Sequence, residues 1–521
     1  MEQPRNLPDP KDSELRRRLF QNSGLIMGCR VVTATTSLIA VPFITSKLRI
    51  EGFGIWELMT AIASLCAMFQ TSVNGTLLWK ISQAHGTDDY ATIRRMIRIG
   101  VLSILVFLLV LGSGVWMIRY PLIHGLHIKA QYASQVAWVF PSVVCVTVLG
   151  GINDTMGSAI SGCQRSGVVT VIQAIALVVN YVTAIILIRL NYAYEGLLIG
   201  LSAGTLVASV LYFRTAYKLC GGISLVPTTP TVVELKSMAR YGFFLIIGSC
   251  SQALRDQTDK LVLARFASTT WVGYYGIAAR LAVLVMEVSR FFYSPLLTAA
   301  GSMHAAKNWV GVQRLYANMI VLVAAAAGIV TVIVAGLHDR LMFMWLGYSR
   351  PQVALIVLIL LTGNASAVIL TGPGTAICRA IGKVWVETAY VVINLVGNLV
   401  LTIVLVMTIG PLGTVIASGS TWAVSAVAFT FILPRLVDLP NESTAKARWF
   451  LFVVAICSVV TYYGSQLVAK PTSRMDATIG FFILGTLAAA LYLGIATAVG
   501  LIPKSIYGKV IGKVRGRLAR T

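Results

Sequence analysis

Fourteen apolar stretches, each long enough to cross a bilayer, follow one another almost from end to end of this 521-residue chain. A hydrocarbon core about 30 Å thick takes roughly 20 apolar residues at the helical rise. The stretches fall at 22–45, 53–79, 97–117, 133–157, 167–188, 195–216, 241–263, 272–296, 315–337, 352–375, 386–408, 412–434, 449–468 and 478–501. With 57% hydrophobic and only 12% charged residues, a soluble domain could not cover its surface. The expected fold is an all-α polytopic membrane protein with little mass outside the membrane.

Lys and Arg resist translocation, so their distribution over the loops sets the orientation. With the N-terminus inside, 26 of them fall on the inner side and 10 on the outer, and the other six lie within spans. An even number of spans also puts both termini on one side, so a multi-pass protein of the cell (inner) membrane with cytoplasmic ends is expected. The same sorting accounts for the net charge of +23 without nucleic acid, which is not an expected partner. The basic tail Lys504–Arg520 interleaves Ile506, Val510, Ile511, Val514 and Leu518, the pattern of an amphipathic helix on anionic membrane lipids. No cleavable signal peptide is visible in the polar first 20 residues. The eight cysteines lie in spans or inner loops at irregular spacings, which argues against disulfides and against a metal site.

The longest loop between spans, 217–240, divides the chain into six spans and eight. Across it the opening hairpins echo each other. Gly54-Ile55-Trp56 opens the second span about 30 residues after Gly24, and Gly273-Tyr274-Tyr275 opens the eighth 31 after Gly242. Internal repeats are a common construction of secondary transporters. The expected domains are 1–216 and 241–436 around the linker 217–240, then 437–502 with the last two spans, then the basic tail 503–521.

The segment PFITSKLRIEGFGIWELMTAI (Pro42–Ile62), its echo DKLVLARFASTTWVGYYGIAARLAVL (Asp259–Leu284), and TGPGTAICRAIGK (Thr371–Lys383) resemble the polysaccharide transporters of the multidrug/oligosaccharidyl-lipid/polysaccharide flippase superfamily. The resemblance runs over essentially the whole length. It implies two pseudo-symmetric six-helix lobes around a central cavity that opens alternately to either face. It also implies an undecaprenyl-diphosphate-linked oligosaccharide as substrate. Two extra C-terminal spans, as here, form a lipid-facing groove in one branch of the superfamily.

Ionisable residues inside spans cost several kcal/mol unless they pair or line a polar cavity, so each is a candidate site residue. Arg30 lies a third of the way along the first span with no acid within one turn. It either lines a cavity or pairs with Asp154 or Glu287 from another helix. Arg280, Glu287 and Arg290 fall at offsets 0, 7 and 10 of the eighth span, one stripe on a regular helix. Guanidinium groups grip phosphate oxygens bidentately, as a translocated diphosphate would require; the alternative is that Glu287 only neutralises Arg290. On the seventh span Arg255 with Asp259, and Asp256 with Lys260, are i,i+4 pairs that can satisfy one another. Alternatively Asp256 or Asp259 binds Na⁺ or a proton and couples transport to an ion gradient, a role also open to Glu287. Gln70 with Asn74, and Glu387 with Asn394 and Asn398, form uncharged or mixed stripes, either interhelical partners or cavity lining.

No P-loop, no HExxH and no nucleophile constellation is present, so neither an enzyme nor a cofactor is expected. The sequence reading is a flippase for lipid-linked oligosaccharide in cell-surface polysaccharide biosynthesis. A polysaccharide polymerase complex would be a further partner. A multidrug/cation antiporter of the same superfamily is the first alternative, disfavoured because a cation site needs carboxylates and aromatics rather than arginines. A non-transporting scaffold of a glycan-assembly complex is the second.

Overall fold

The computed structural model describes residues 10–220, 222–223 and 226–502, and among these there is no strand. The expected amphipathic tail 503–521 lies outside the described residues. Large apolar side chains stand outward along many helices, Met117 at 79% and Val424 at 68% exposure among them. Bare apolar area on this scale suits hydrocarbon and not water. Twelve helices among the described residues are long and apolar enough to cross a membrane.

The expected count of fourteen differs for identifiable reasons. The stretches 22–45 and 53–79 lie in one assigned helix, α1 (Pro10–Gly86), broken at Arg49 by a left-handed φ of 58° with an extended ψ of 175°. The stretch 241–263 lies in α7 (Val232–Phe266), which is helical but carries Arg255, Asp256, Asp259 and Lys260 in its second half. It is not among the twelve.

The chain forms two compact units, one of residues 1–257 with 268–270, the other of 258–267 with 271–521. The first unit contains α1, α2 (Tyr90–Phe107), α3 (Ser113–Gly125), α4 (Ala130–Gly162), α5 (Ser166–Arg189), α6 (Tyr194–Leu219) and most of α7. A π-helical turn, Leu108–Gly112, joins α2 to α3. Asp89 starts α2 by accepting from the Thr92 amide at 3.0 Å, which satisfies one of the orphan N–H groups of a helix start. Leu77, Ile81, Ile93, Ile97, Ile160 and Tyr212 form its core across α1, α2, α4 and α6. Gly200 and Gly204 set α6 against α5, since a Cβ at either would lie 2.6 Å from a carbonyl oxygen of α5. Small residues at this spacing allow close helix approach where hydrocarbon gives no hydrophobic drive.

The second unit continues from the end of α7 through α8 (Thr269–Ala282), α9 (Leu284–Ala305), α10 (Trp309–Gly336), α11 (His338–Leu346) and α12 (Pro351–Ala380). It then adds α13 (Val384–Ile409), α14 (Pro411–Val437), α15 (Asn441–Gln466) and α16 (Arg474–Ala498). Two polar anchors hold the last pair. Buried Arg340 on α11 donates to the carbonyls of Val468 and Ala469, at 3.1 and 2.8 Å, in the α15–α16 turn. Tyr492 on α16 donates to the Ala324 carbonyl of α10 at 2.9 Å, and its ring fills the space that a Cβ on Gly328 would occupy.

Candidate functional site

Within the second unit, a carboxylate is buried where α7, α8, α13 and α14 supply polar groups. Asp259 is 2% exposed, and its Oδ2 accepts from the Tyr275 hydroxyl at 2.7 Å and from Ser418 Oγ at 2.5 Å. Ser418 in turn accepts from Asn398 Nδ2 at 2.8 Å. One turn away on α13, Asn394 Nδ2 donates to Ser425 Oγ at 2.9 Å. Each amide thus spends its N–H₂ end on a serine of α14. Its oxygen end is left buried: Asn394 Oδ1 and Asn398 Oδ1 have no hydrogen-bond partner among the described residues, and neither do the hydroxyls of Thr402 and Thr414. Thr402 is one helical turn from Asn398, and Thr414 one turn from Ser418.

The hairpin that aligns these groups is tight. Gly410 turns with φ 74° and ψ −153°, in a region open to glycine, and Gly413 sits so close that a Cβ would lie 2.2 Å from the Leu405 carbonyl. Buried oxygens without donors are costly in an apolar interior. One carboxylate among neutral oxygens is the donor chemistry of a small monovalent cation, or of a proton shared by Asp259 and its neighbours. Among the described residues no group of three or more His, Cys, Asp or Glu could hold a metal ion.

The sequence-expected residues fall into several environments. Asp259, Asn394 and Asn398 share the second unit's cluster. Gln70 and Asn74 are buried in the first unit against α4, where Gln70 Nε2 donates to the Val148 carbonyl at 3.1 Å. Asn74 Oδ1 accepts from Thr155 Oγ1 at 3.0 Å. Glu387 forms a two-pronged ion pair with Arg379 across the α12–α13 turn, through Nε and through Nη2, the latter at 2.8 Å. Arg255 is buried and lies 3.3 Å from its chain neighbour Asp256, whose side chain is 49% exposed. Arg30 is exposed on α1, and Lys260 is half-buried on α7.

The regular stripe expected for Arg280, Glu287 and Arg290 is corrected by the backbone. The helix is interrupted at Val283, so Arg280 ends α8 while Glu287 and Arg290 belong to α9. Arg280 and Glu287 are half-buried; the side chain of Arg290 lies outside the described residues. The break is supported from α12, where Asn364 Nδ2 donates to the Ala282 carbonyl at 2.9 Å. A neighbouring side chain that satisfies a freed carbonyl is what makes a broken helix tolerable at membrane depth.

Ser418, Ser425, Thr402 and Thr414 are not singled out by the sequence reading, and Tyr275 enters it only through the hairpin echo, not as a site residue. A signal existed: Thr414, Ser418, Thr421 and Ser425 recur every three to four residues along α14, a polar face on an otherwise apolar span.

Twelve apolar helices of this length among the described residues define a multi-pass membrane protein, one that buries a carboxylate among oxygen-rich neighbours. The profile of the family described as "Polysaccharide biosynthesis protein" matches residues 19–301, more than half of the chain, and the protein belongs to that family. Two similar proteins of Haloferax volcanii carry flippase names. A probable flippase is 21% identical over 453 residues, which cover 85% of this chain and 89% of that protein. A probable low-salt glycan biosynthesis flippase is 22% identical over 308 residues, 56% of this chain and 63% of the relative's length, so that match spans less than two thirds of it. Among solved structures, the lipid II flippase MurJ in an inward closed conformation has a TM-score of 0.66 at 13% identity, covering 92% of this chain and all of that one. An inward-facing multidrug resistance MATE transporter has a TM-score of 0.67 at 14% identity, covering 78% of this chain and 94% of that one. At these identities the structural likeness speaks for the fold.

Proposed function

We propose that the protein is a flippase that moves a lipid-diphosphate-linked oligosaccharide, of the undecaprenyl type, from the inner to the outer leaflet for cell-surface polysaccharide synthesis. The site is exposed alternately to the two faces of the membrane. The observation that carries the reading is the combination of family membership with arginines inside apolar helices, above all Arg280, half-buried beside the break at Val283. A polyanionic head group needs such partners, because guanidinium forks match phosphate oxygens and stay charged at any depth. Arg30 on α1, together with Arg280, Arg290, Arg255 and Lys260, is proposed to contact the diphosphate in the course of translocation.

The driving force is proposed to be a cotransported cation or proton taken up at Asp259. Its buried carboxylate and the unpartnered oxygens of Asn394, Asn398, Thr402 and Thr414 support this reading. An ion bound there would contact the Asp259 carboxylate and the unpartnered amide and hydroxyl oxygens, so it can shift the balance between two conformations of the second unit that differ in those contacts.

The test is reconstitution in proteoliposomes with a fluorescent lipid-diphosphate oligosaccharide whose outward display is read by an impermeant quencher. The double variant Arg30→Ala with Arg280→Ala should abolish display while the protein still inserts. Undiminished flipping would remove these arginines from the substrate path. Failure of the wild-type protein to bind the lipid-diphosphate sugar would sink the flippase reading itself.

A further inference from the structure

At the turn between α14 and α15 lies a cavity of about 260 Å³ that plays no part in the polar cluster around Asp259. Thr430, Phe431 and Arg435 line it from α14, and Asn441, Thr444 and Arg448 from α15. Arg448 is fixed in place: Nη1 donates to Thr430 Oγ1 at 3.0 Å, and its Cζ sits 4.3 Å above the Phe431 ring. That arrangement uses one N–H and orients the rest of the fork. Arg435 is exposed and has no protein partner among the described residues. No lining residue is acidic, and neither nearby acid, Asp438 or Glu442, forms an ion pair with these arginines. Two guanidiniums therefore face one cavity without a counter-charge.

The depth and surroundings select the ligand. α14 and α15 are consecutive membrane-length helices, so their three-residue turn, 438–440, lies at the boundary where phospholipid head groups sit. Beside the cavity, Phe431, Trp449 and Phe452 are 52%, 56% and 56% exposed, an apolar surface suited to acyl chains with an indole at interface height. From this juxtaposition we infer that the α14–α15 turn is a binding site for the head-group phosphate of an anionic phospholipid, gripped by Arg435 and Arg448. A net-negative lipid is favoured over a zwitterionic one because the cavity supplies two positive charges and no negative one. The inference stands on this corner of the fold alone and does not depend on what the protein transports.

Native mass spectrometry of the purified full-length protein, titrated with phosphatidylglycerol, phosphatidylcholine or inorganic phosphate, tests it. Phosphatidylglycerol should be retained preferentially. Each arginine removed should weaken its retention about fivefold, so Arg435→Gln with Arg448→Gln should weaken it about 25-fold. Arg448→Gln also loses its hold on Thr430 and Phe431, so Arg435→Gln alone provides the reading free of any folding defect. Lys218→Gln, at an exposed lysine ending α6 in the other unit, should change nothing. Wild-type retention in Arg435→Gln and in the double variant would overturn the assignment, as would equal loss in Lys218→Gln. Displacement of the lipid by millimolar inorganic phosphate would show a free-phosphate site and overturn the lipid assignment.

Discussion

The two units bury similar polar side chains inside apolar helices and use them differently. In the first, Gln70 and Asn74 on α1 meet the Val148 carbonyl and the Thr155 hydroxyl of α4, and each contact joins a donor to an acceptor. In the second, Asn394 and Asn398 donate to serines of α14, while their oxygens and two threonine hydroxyls remain without partners near a buried carboxylate. The first arrangement leaves no amide atom of Gln70 or Asn74 both fully buried and without a partner, and works as a fastening between helices. The second leaves amide and hydroxyl oxygens buried without donors among the described residues, which is the property of a site that receives something. Counting polar residues per span would not separate them; what each oxygen meets does.

The strongest way to break this comparison is Asp259→Asn, which keeps the shape and removes the charge. Transport should fall at least about a hundredfold, ~2.7 kcal/mol in the barrier, and what remains should no longer respond to cation concentration or pH. Proteoliposome flipping measured across Na⁺ concentrations and pH checks this, and a retained cation response would dissolve the distinction between the units. Next in size is Gly151→Ala in the first unit. Its Cβ would fall 2.4 Å from Gln70 Oε1, so about 1–3 kcal/mol of stability should be lost to overpacking. Thermal unfolding in detergent reads that loss, and the cation response of transport should stay unchanged.

A finer contrast sets Asn74→Ala against Asn398→Ala. Each removes hydrogen bonding worth about 1 kcal/mol. The first should lower only the unfolding midpoint, whereas the second should also raise the cation concentration needed for half-maximal transport. Equivalent behaviour of the two variants would mean that both amides are fasteners.

The smallest effect is a control outside both clusters. Arg95 pairs with Glu234 at 2.8 Å, and this partner, with help from Thr231, holds the Glu234 carboxyl down to about 2 from its usual 4.5. Because the folded value is the lower one, the contribution is complete above pH 4.5 and is lost as the pH falls towards 2. In Glu234→Gln the unfolding midpoint should lose part of its slope between pH 4.5 and 2, by less than about 1 kcal/mol for so accessible a pair. Asp89, also held down by the Thr92 hydroxyl and amide, should leave a residual slope.

Much of the architecture is legible in the sequence. Runs of twenty apolar residues leave little choice but helices in a membrane, and the α13–α14 hairpin was visible at Gly410-Pro411. The readings that changed depended on local backbone geometry. The stripe of Arg280, Glu287 and Arg290 assumed an unbroken helix, whereas the interruption at Val283 depends on Asn364, some eighty residues away in sequence. Of the candidate amides, Gln70 and Asn398 look alike as sequence, since each is an uncharged polar residue in an apolar span. Ser418 and Thr414 are short side chains that read as packing residues in sequence, and only the fold brings Ser418 to donate to Asp259.

The sequence by itself determined the solvent of this protein and the helical state of its spans. Transfer of apolar surface and satisfaction of backbone hydrogen bonds are properties of each segment taken alone. Tertiary structure alone decided which buried polar groups are complete and which are not. Helix rotation in so uniformly apolar a chain is set by small-residue contacts such as Gly413 on Leu405, and periodicity does not specify it. A hydrogen bond needs two partners within about 3 Å, and for Asp259 and Ser418 those partners come from helices 159 residues apart in the chain.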